Sequence, residues 1–310
     1  MNPLLATFLL LRLLQQGAEH ALLALNRGYA SDPARRAEAA RILRIPLPEM
    51  ETAAAYAADR QRFQLRSGWA EVVAILAFLA AGGLAWAEGA ARSLGRPLGL
   101  GPVGVGLLFL GILGAAGALF DLPFALYNTF RIEEKHGFNR QTLRGFFVDL
   151  AKGLALAIVL GGVVLGALLA IMERSGPRWW VWAWLAVAAF SVLTAWIYPT
   201  VLAPLFNRFT TLPEGELRER ILGLVRRIGF RASGLFVMDA SRRTAHGNAY
   251  FTGLFRAKLI VLFDTLLAAM GPREVVAVLA HELGHFKLRH MRASLGRRIL
   301  KTGALREGIQ

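Results

Sequence analysis

The chain has 310 residues, 55% of them hydrophobic and only 18% charged, against about 25% charged in a soluble globular protein. It has no cysteine, which excludes a disulfide framework and any thiolate metal site. The formal charge of +15, with no nucleic-acid reading motif, excludes nucleic acid as a partner and fits basic loops lying against anionic lipid.

Five apolar stretches reach the roughly 20 residues needed to cross a bilayer. The first runs from about Leu4 to Leu25 and is interrupted by Arg12, Glu19 and His20. The others are Trp69 to Trp86, Val103 to Tyr127, Leu154 to Met172, and Trp179 to about Pro199. The last opens on Trp179, Trp180 and Trp182, which suits an interfacial belt. No small-residue cleavage site follows the first apolar core, so no removable signal peptide is read. Basic residues crowd the loops between spans one and two (Arg27 to Arg66) and between three and four (Arg131 to Arg144), and are sparse in the other two. With basic loops inside, everything after the fifth span is cytoplasmic. Arg far outnumbers Lys, and Ala, Gly and Leu abound; the expectation is an integral protein of a bacterial inner membrane.

From Asn207 the chain turns polar. Leu217 to Ile228 has helical apolar spacing; Gly234 to Asp239, Asn248 to Gly253 and Lys258 to Phe263 read as strands, the last two joined by a turn through Gly253 to Ala257. Gly271-Pro272 then starts a helix that carries His281-Glu282-Leu283-Gly284-His285. Residues four apart share a helix face, so His281 and His285 can hold one metal ion between them. Glu282 turns about 100° away from His281, where it reaches a metal-bound water as general base. Two imidazoles and one such carboxylate are the equipment of a zinc peptidase. Leu288 and Met291 stand where a metzincin has Gly and His, so no third ligand comes from that extension. His290 reads as a helix-end group rather than a ligand.

These residues, with Ile132-Glu133-Glu134-Lys135-His136-Gly137-Phe138-Asn139, Tyr198 to Asn207, Met238 to Ser241, His246 to Phe251 and Ile260 to Leu266, resemble the type I CAAX prenyl proteases, membrane zinc metallopeptidases of the gluzincin kind. The resemblance implies a mainly α, polytopic membrane protein whose helices form a barrel enclosing a chamber, with a small cytoplasmic α/β zinc-peptidase unit. Residues 1–206 would be the membrane domain with about five spans, and 207–310 the metallopeptidase domain. It implies one Zn2+ per chain on His281 and His285, and Glu282 as the base for a zinc-activated water. It implies cleavage of peptide or protein substrates, lipidated ones included, near their C-termini. Asn248, Ala249 and Tyr250 resemble the edge strand on which gluzincins bind substrate backbone. Glu133, Glu134 and Lys135 resemble a family loop fixture with a structural or chamber-lining role.

The family's third zinc ligand is a Glu on a later helix. After Glu282 the sole acid is Glu307, near the end of a basic tail, so the third ligand is left unknown. A truncated product or incomplete gene model is the expectation on this point. The alternatives are a catalytically inactive relative or membrane peptide-binding protein, and a transporter suggested by intramembrane Asp121, which would have no use for H-E-x-x-H.

Overall fold

The computed structural model describes residues 3–229, 233–252 and 259–287. Gly253 to Ala257, His290 and Glu307 lie outside them, as do the side chains of Glu282 and His285. The chain forms two compact units, residues 1–137 and 138–310.

The first unit is helical: α1 (Pro3–Ser31), α2 (Pro33–Leu43), α3 (Leu47–Ala80), α4 (Gly83–Gly95) and α5 (Pro102–Tyr127). Asp32 caps α2, its carboxylate accepting from the Ala34 N–H at 2.9 Å, with Pro33 at the first helical position. Helix α1 is long enough to span but is not among the four described helices that are also apolar enough. Its polar groups are met within the unit: Arg12 lies 2.9 Å from Glu71, and the Trp69 indole N–H donates to the His20 ring at 3.1 Å.

The second apolar stretch departs from the expected Trp69 to Trp86. Helix α3 starts at Leu47 and stops at Ala80. The cause is the glycine pair after it. Gly82 adopts φ 72°, a left-handed turn that only glycine takes without strain. Gly83 brings its backbone so close to the Phe78 ring that a Cβ there would lie 2.4 Å from it. Helix α4 then folds back, burying Ala87, Ala91 and Gly95, a four-residue repeat of small groups that lets it pack closely on α5. Helix α5 continues through Pro123 into a π-helical segment, Asn128–Glu133.

The second unit opens with α6 (Leu143–Arg174) and α7 (Trp179–Ile197), which pack on each other. A second π-helical turn at Tyr198–Leu202 leads into α8 (Ala203–Phe206). Then come β1 (Phe209–Thr211), α9 (Glu216–Ile228), β2 (Gly234–Met238), β3 (Ala249–Thr252), β4 (Leu259–Phe263), α10 (Asp264–Ala269) and α11 (Pro272–Lys287). The strands form one sheet in the order β1-β2-β4-β3. β2 and β4 are parallel, while β1 and β3 join antiparallel at either side. Strand β4 is buried on both faces, hence its unbroken apolar run. Its Ile260 and Leu262 enter the main core with Leu235 of β2, Ile221 and Val225 of α9, and Val275, Leu279 and Leu283 of α11. Val261 faces the other way, with Met238 and Ala240. Helix α9 is amphipathic, with Glu216 and Glu219 in its first turn, Arg226 and Arg227 in its last, and Gly229 closing it at φ 72°; both charge placements favour the helix dipole.

Candidate active site

Helix α11 begins where Gly271-Pro272 predicts. Glu274 accepts from the Gly271 N–H at 2.7 Å while its own N–H bonds back to the Gly271 carbonyl, so the first turn is satisfied reciprocally. The helix is then fixed by one ridge. Val275, Leu279 and Leu283 recur every four residues and are fully buried, each worth about 1.5–3 kcal/mol of apolar burial. They seat α11 on α9 and β3. Position 281 is two residues from both Leu279 and Leu283, about 200° around the helix. His281 is accordingly exposed, and position 285 follows it one turn later on the same helix. Among the described residues no group of three His, Cys, Asp or Glu could hold a metal ion. Two histidines one turn apart on a helix, at positions 281 and 285, are nonetheless residue types that fit zinc.

Of the predicted substrate-strand residues, Ala249 and Tyr250 open β3, and Asn248 immediately precedes it. Among the described residues strand β3 lies at the end of the sheet, paired with β4 alone. The Phe263 N–H donates to the Asn248 carbonyl at 2.9 Å. Antiparallel alternation then makes Asn248, Tyr250 and Thr252 the positions bonded to β4, and turns the backbone of Ala249 and Phe251 outward along the edge. The Ala249 N–H meets the Asn248 side-chain oxygen at 2.8 Å. Side chains alternate as well. Ala249 packs in the core shared with Leu279 and Leu283, whereas Tyr250 lies on the opposite face with Met238 and Val261. On that face a cavity of about 260 Å³ is lined by Pro199, Ala203, Phe209, Phe236, Tyr250 and Val261, among others. Burial, with a smaller push from Tyr198, raises the Tyr250 phenol to about 12.

The segment leading into β3 is held by contacts no local reading of the sequence found. The Arg243 guanidinium meets Asp149 on α6 through two nitrogens, at 2.7 and 2.9 Å, donates to the Asn207 side chain at 2.8 Å, and also donates to the Phe206 carbonyl. Asp149 holds the guanidinium firmly protonated. Three residues on, the His246 ring stacks on Phe138 with centroids 4.0 Å apart. The Ala245 N–H donates to the Phe138 carbonyl, and Arg140 to the Arg243 carbonyl. The His246 carbonyl accepts from the Thr265 hydroxyl at 2.8 Å. The motif residues Phe138-Asn139, Asn207 and His246 are thus brought together as a brace for the edge strand. Glu133 and Lys135 belong to the first unit, where they pair with Tyr56 at 2.7 Å and Asp59 at 2.6 Å.

Residues 37–208 match the family model described as the CAAX prenyl protease N-terminal region with five membrane helices, and residues 211–305 match peptidase family M48. The chain is 39% identical over 246 residues to a CAAX prenyl protease 1 homolog of Arabidopsis thaliana, covering 78% of this chain and 58% of that protein. It is 43% identical over 188 residues to CAAX prenyl protease 1 of Saccharomyces cerevisiae, covering 60% of this chain and 41% of that one. The chain therefore spans less than two thirds of the length of these relatives. The crystal structure of S. mikatae Ste24p superposes with a TM-score of 0.88 at 31% identity, covering 97% of this chain and 71% of that one.

Proposed function

We propose that this chain, which belongs to the CAAX prenyl protease branch of peptidase family M48, is a membrane-embedded zinc endopeptidase acting near the C-termini of peptide or protein substrates. One observation carries the reading. The helix bearing His281, Glu282 and His285 packs on the same edge strand, β3, that could receive a substrate backbone.

His281 and His285 would hold the zinc, and zinc held there would supply a Lewis acid for the scissile carbonyl and the attacking water. The third ligand is not assigned. A substrate segment would lie along β3, bonding to the outward backbone of Ala249 and Phe251. Its side chains would alternate between the α11 face and the Tyr250 face, where the cavity of about 260 Å³ can take one apolar group. Glu282 would take the proton of the attacking water and pass it to the leaving amine. The relatives are named CAAX prenyl proteases, which supports prenylated peptides as the substrate class, and the apolar spans would keep the enzyme where lipidated chains reside. The basic loops support a site facing the cytoplasm.

The test is cleavage of a farnesylated peptide by the purified protein in detergent or lipid. Chelator-sensitive cleavage near the C-terminus, lost by about a thousandfold in Glu282→Gln, supports the reading. Cleavage indifferent to both chelator and that substitution would overturn it.

A further inference from the structure

In the first unit a cavity of about 950 Å³ opens between α3 and the end of α5 with its π-helical continuation. None of the residues lining it was given a catalytic role above. Its rim carries four cations, Arg62, Arg66, Arg131 and Lys135, against two carboxylates, Asp59 and Glu134. Asp59 is already engaged, 2.6 Å from Lys135 and 3.7 Å from Arg62. Among the described residues the guanidinium groups of Arg66 and Arg131 have neither a carboxylate nor a hydrogen-bond partner. The cavity walls are aromatic. Phe63 stacks on Tyr127 with centroids 5.7 Å apart and tilts against Phe124 at 6.3 Å, and Phe130 also lines the space.

The place in the fold says what such a mixed cavity suits. Arg62 and Arg66 lie just before the apolar half of α3, and Arg131 just after α5. Both helices are long and apolar enough to span, so the cavity sits where two spans leave the hydrocarbon at the same membrane surface. That is the depth of lipid headgroups. A solvated basic rim alone would be an ordinary positive loop. Two unpartnered guanidiniums over an aromatic cleft of this size, within the range of ligand cavities, is more specific. Guanidinium groups match phosphate oxygens through paired N–H donors, and the aromatic walls can receive the upper part of acyl chains.

We propose that this cavity binds an anionic phospholipid, with the phosphate between Arg66 and Arg131 and the chains along Phe63, Phe124 and Phe130. The proposal is independent of the peptidase reading. It is tested by native mass spectrometry of the protein released from mixed phosphatidylglycerol and phosphatidylcholine bilayers. Phosphatidylglycerol should be retained at least tenfold over phosphatidylcholine, falling to the phosphatidylcholine level in R66Q/R131Q. R66K/R131K, which keeps the charges, should retain part of the preference. R36Q/R41Q removes the same charge from α2 and should leave it unchanged. Equal loss in R36Q/R41Q, or no preference in the native protein, overturns the proposal. Displacement of the lipid by inorganic phosphate alone would show a phosphate site without a chain site, and displacement by a farnesylated peptide would assign the cavity to substrate; either result overturns the lipid assignment. Unchanged melting of R66Q/R131Q in pure phosphatidylcholine guards against reading misfolding as lost binding.

Discussion

Arg243→Ala should damage the site without touching it. Arg243 holds Asp149 through two nitrogens and satisfies Asn207 and the Phe206 carbonyl as well. Removing the guanidinium leaves a carboxylate and two further acceptors facing a gap. For a fully buried pair the cost of orphaning one charge is about 3–5 kcal/mol. Here the two side chains keep 24% and 21% of their surface exposed, so water can reach part of the gap, and about 2–3 kcal/mol is the discounted figure. Thermal unfolding in detergent should drop by roughly 5 °C or more. Arg243→Lys should recover less than half of the loss, since one ammonium cannot bridge both Asp149 oxygens and also reach Asn207. Asp149→Ala should cost a similar amount, and the double variant little more than either single one. Since Arg243 lies five residues before Asn248, peptide cleavage should fall with the brace while zinc content stays. If Arg243→Ala melts within 1 °C of the native protein and the two losses simply add, the brace is not the source of the strand's placement.

Leu279→Ala empties a fully buried position between α11, α9 and the sheet and should cost about 2–5 kcal/mol, measured as a lowered denaturation midpoint; a loss below 1 kcal/mol would mean α11 is not anchored by this ridge. Tyr250 titrates at about 12 in the folded protein against an ordinary 10.0. Its folded pKa is raised, so the stability it contributes is complete below pH 10 and is lost as pH rises toward 12. One tyrosine should therefore resist ionisation in an ultraviolet titration at pH 11, and Tyr250→Phe should remove that component. For topology, a reporter fused after Leu266 should behave as cytoplasmic and one fused after Arg96 as external; the reverse pattern would invert the orientation.

The parts of the fold visible in the sequence were those set by neighbours in the chain. Helix α11 announced its start through Gly271-Pro272 and its motif through a four-residue spacing. Strand β4 was legible because both faces are buried and five consecutive residues are apolar. Strand β1 was not, since Phe209–Thr211 is three residues long and exists through its pairing with β2. The break in the second apolar stretch was hidden for another reason. Hydropathy averages over Gly82 and Gly83, while the left-handed φ at Gly82 ends the helix locally. The Arg243–Asp149 brace joins residues 94 apart, and nothing near either one signals the other. The fate of Tyr250, turned to the face opposite α11, follows from register, which depends on the partner strand and not on the motif.

Zinc K-edge absorption of the purified protein reports the ligands themselves. With His281 and His285 on the metal, the spectrum should contain the multiple scattering of two imidazoles with nitrogen at about 2.0–2.1 Å. In His281→Ala, zinc content should fall sharply, and any zinc that remains should show at most one imidazole. A spectrum and a zinc content unchanged by His281→Ala and by His285→Ala would contradict the assignment of the metal to α11.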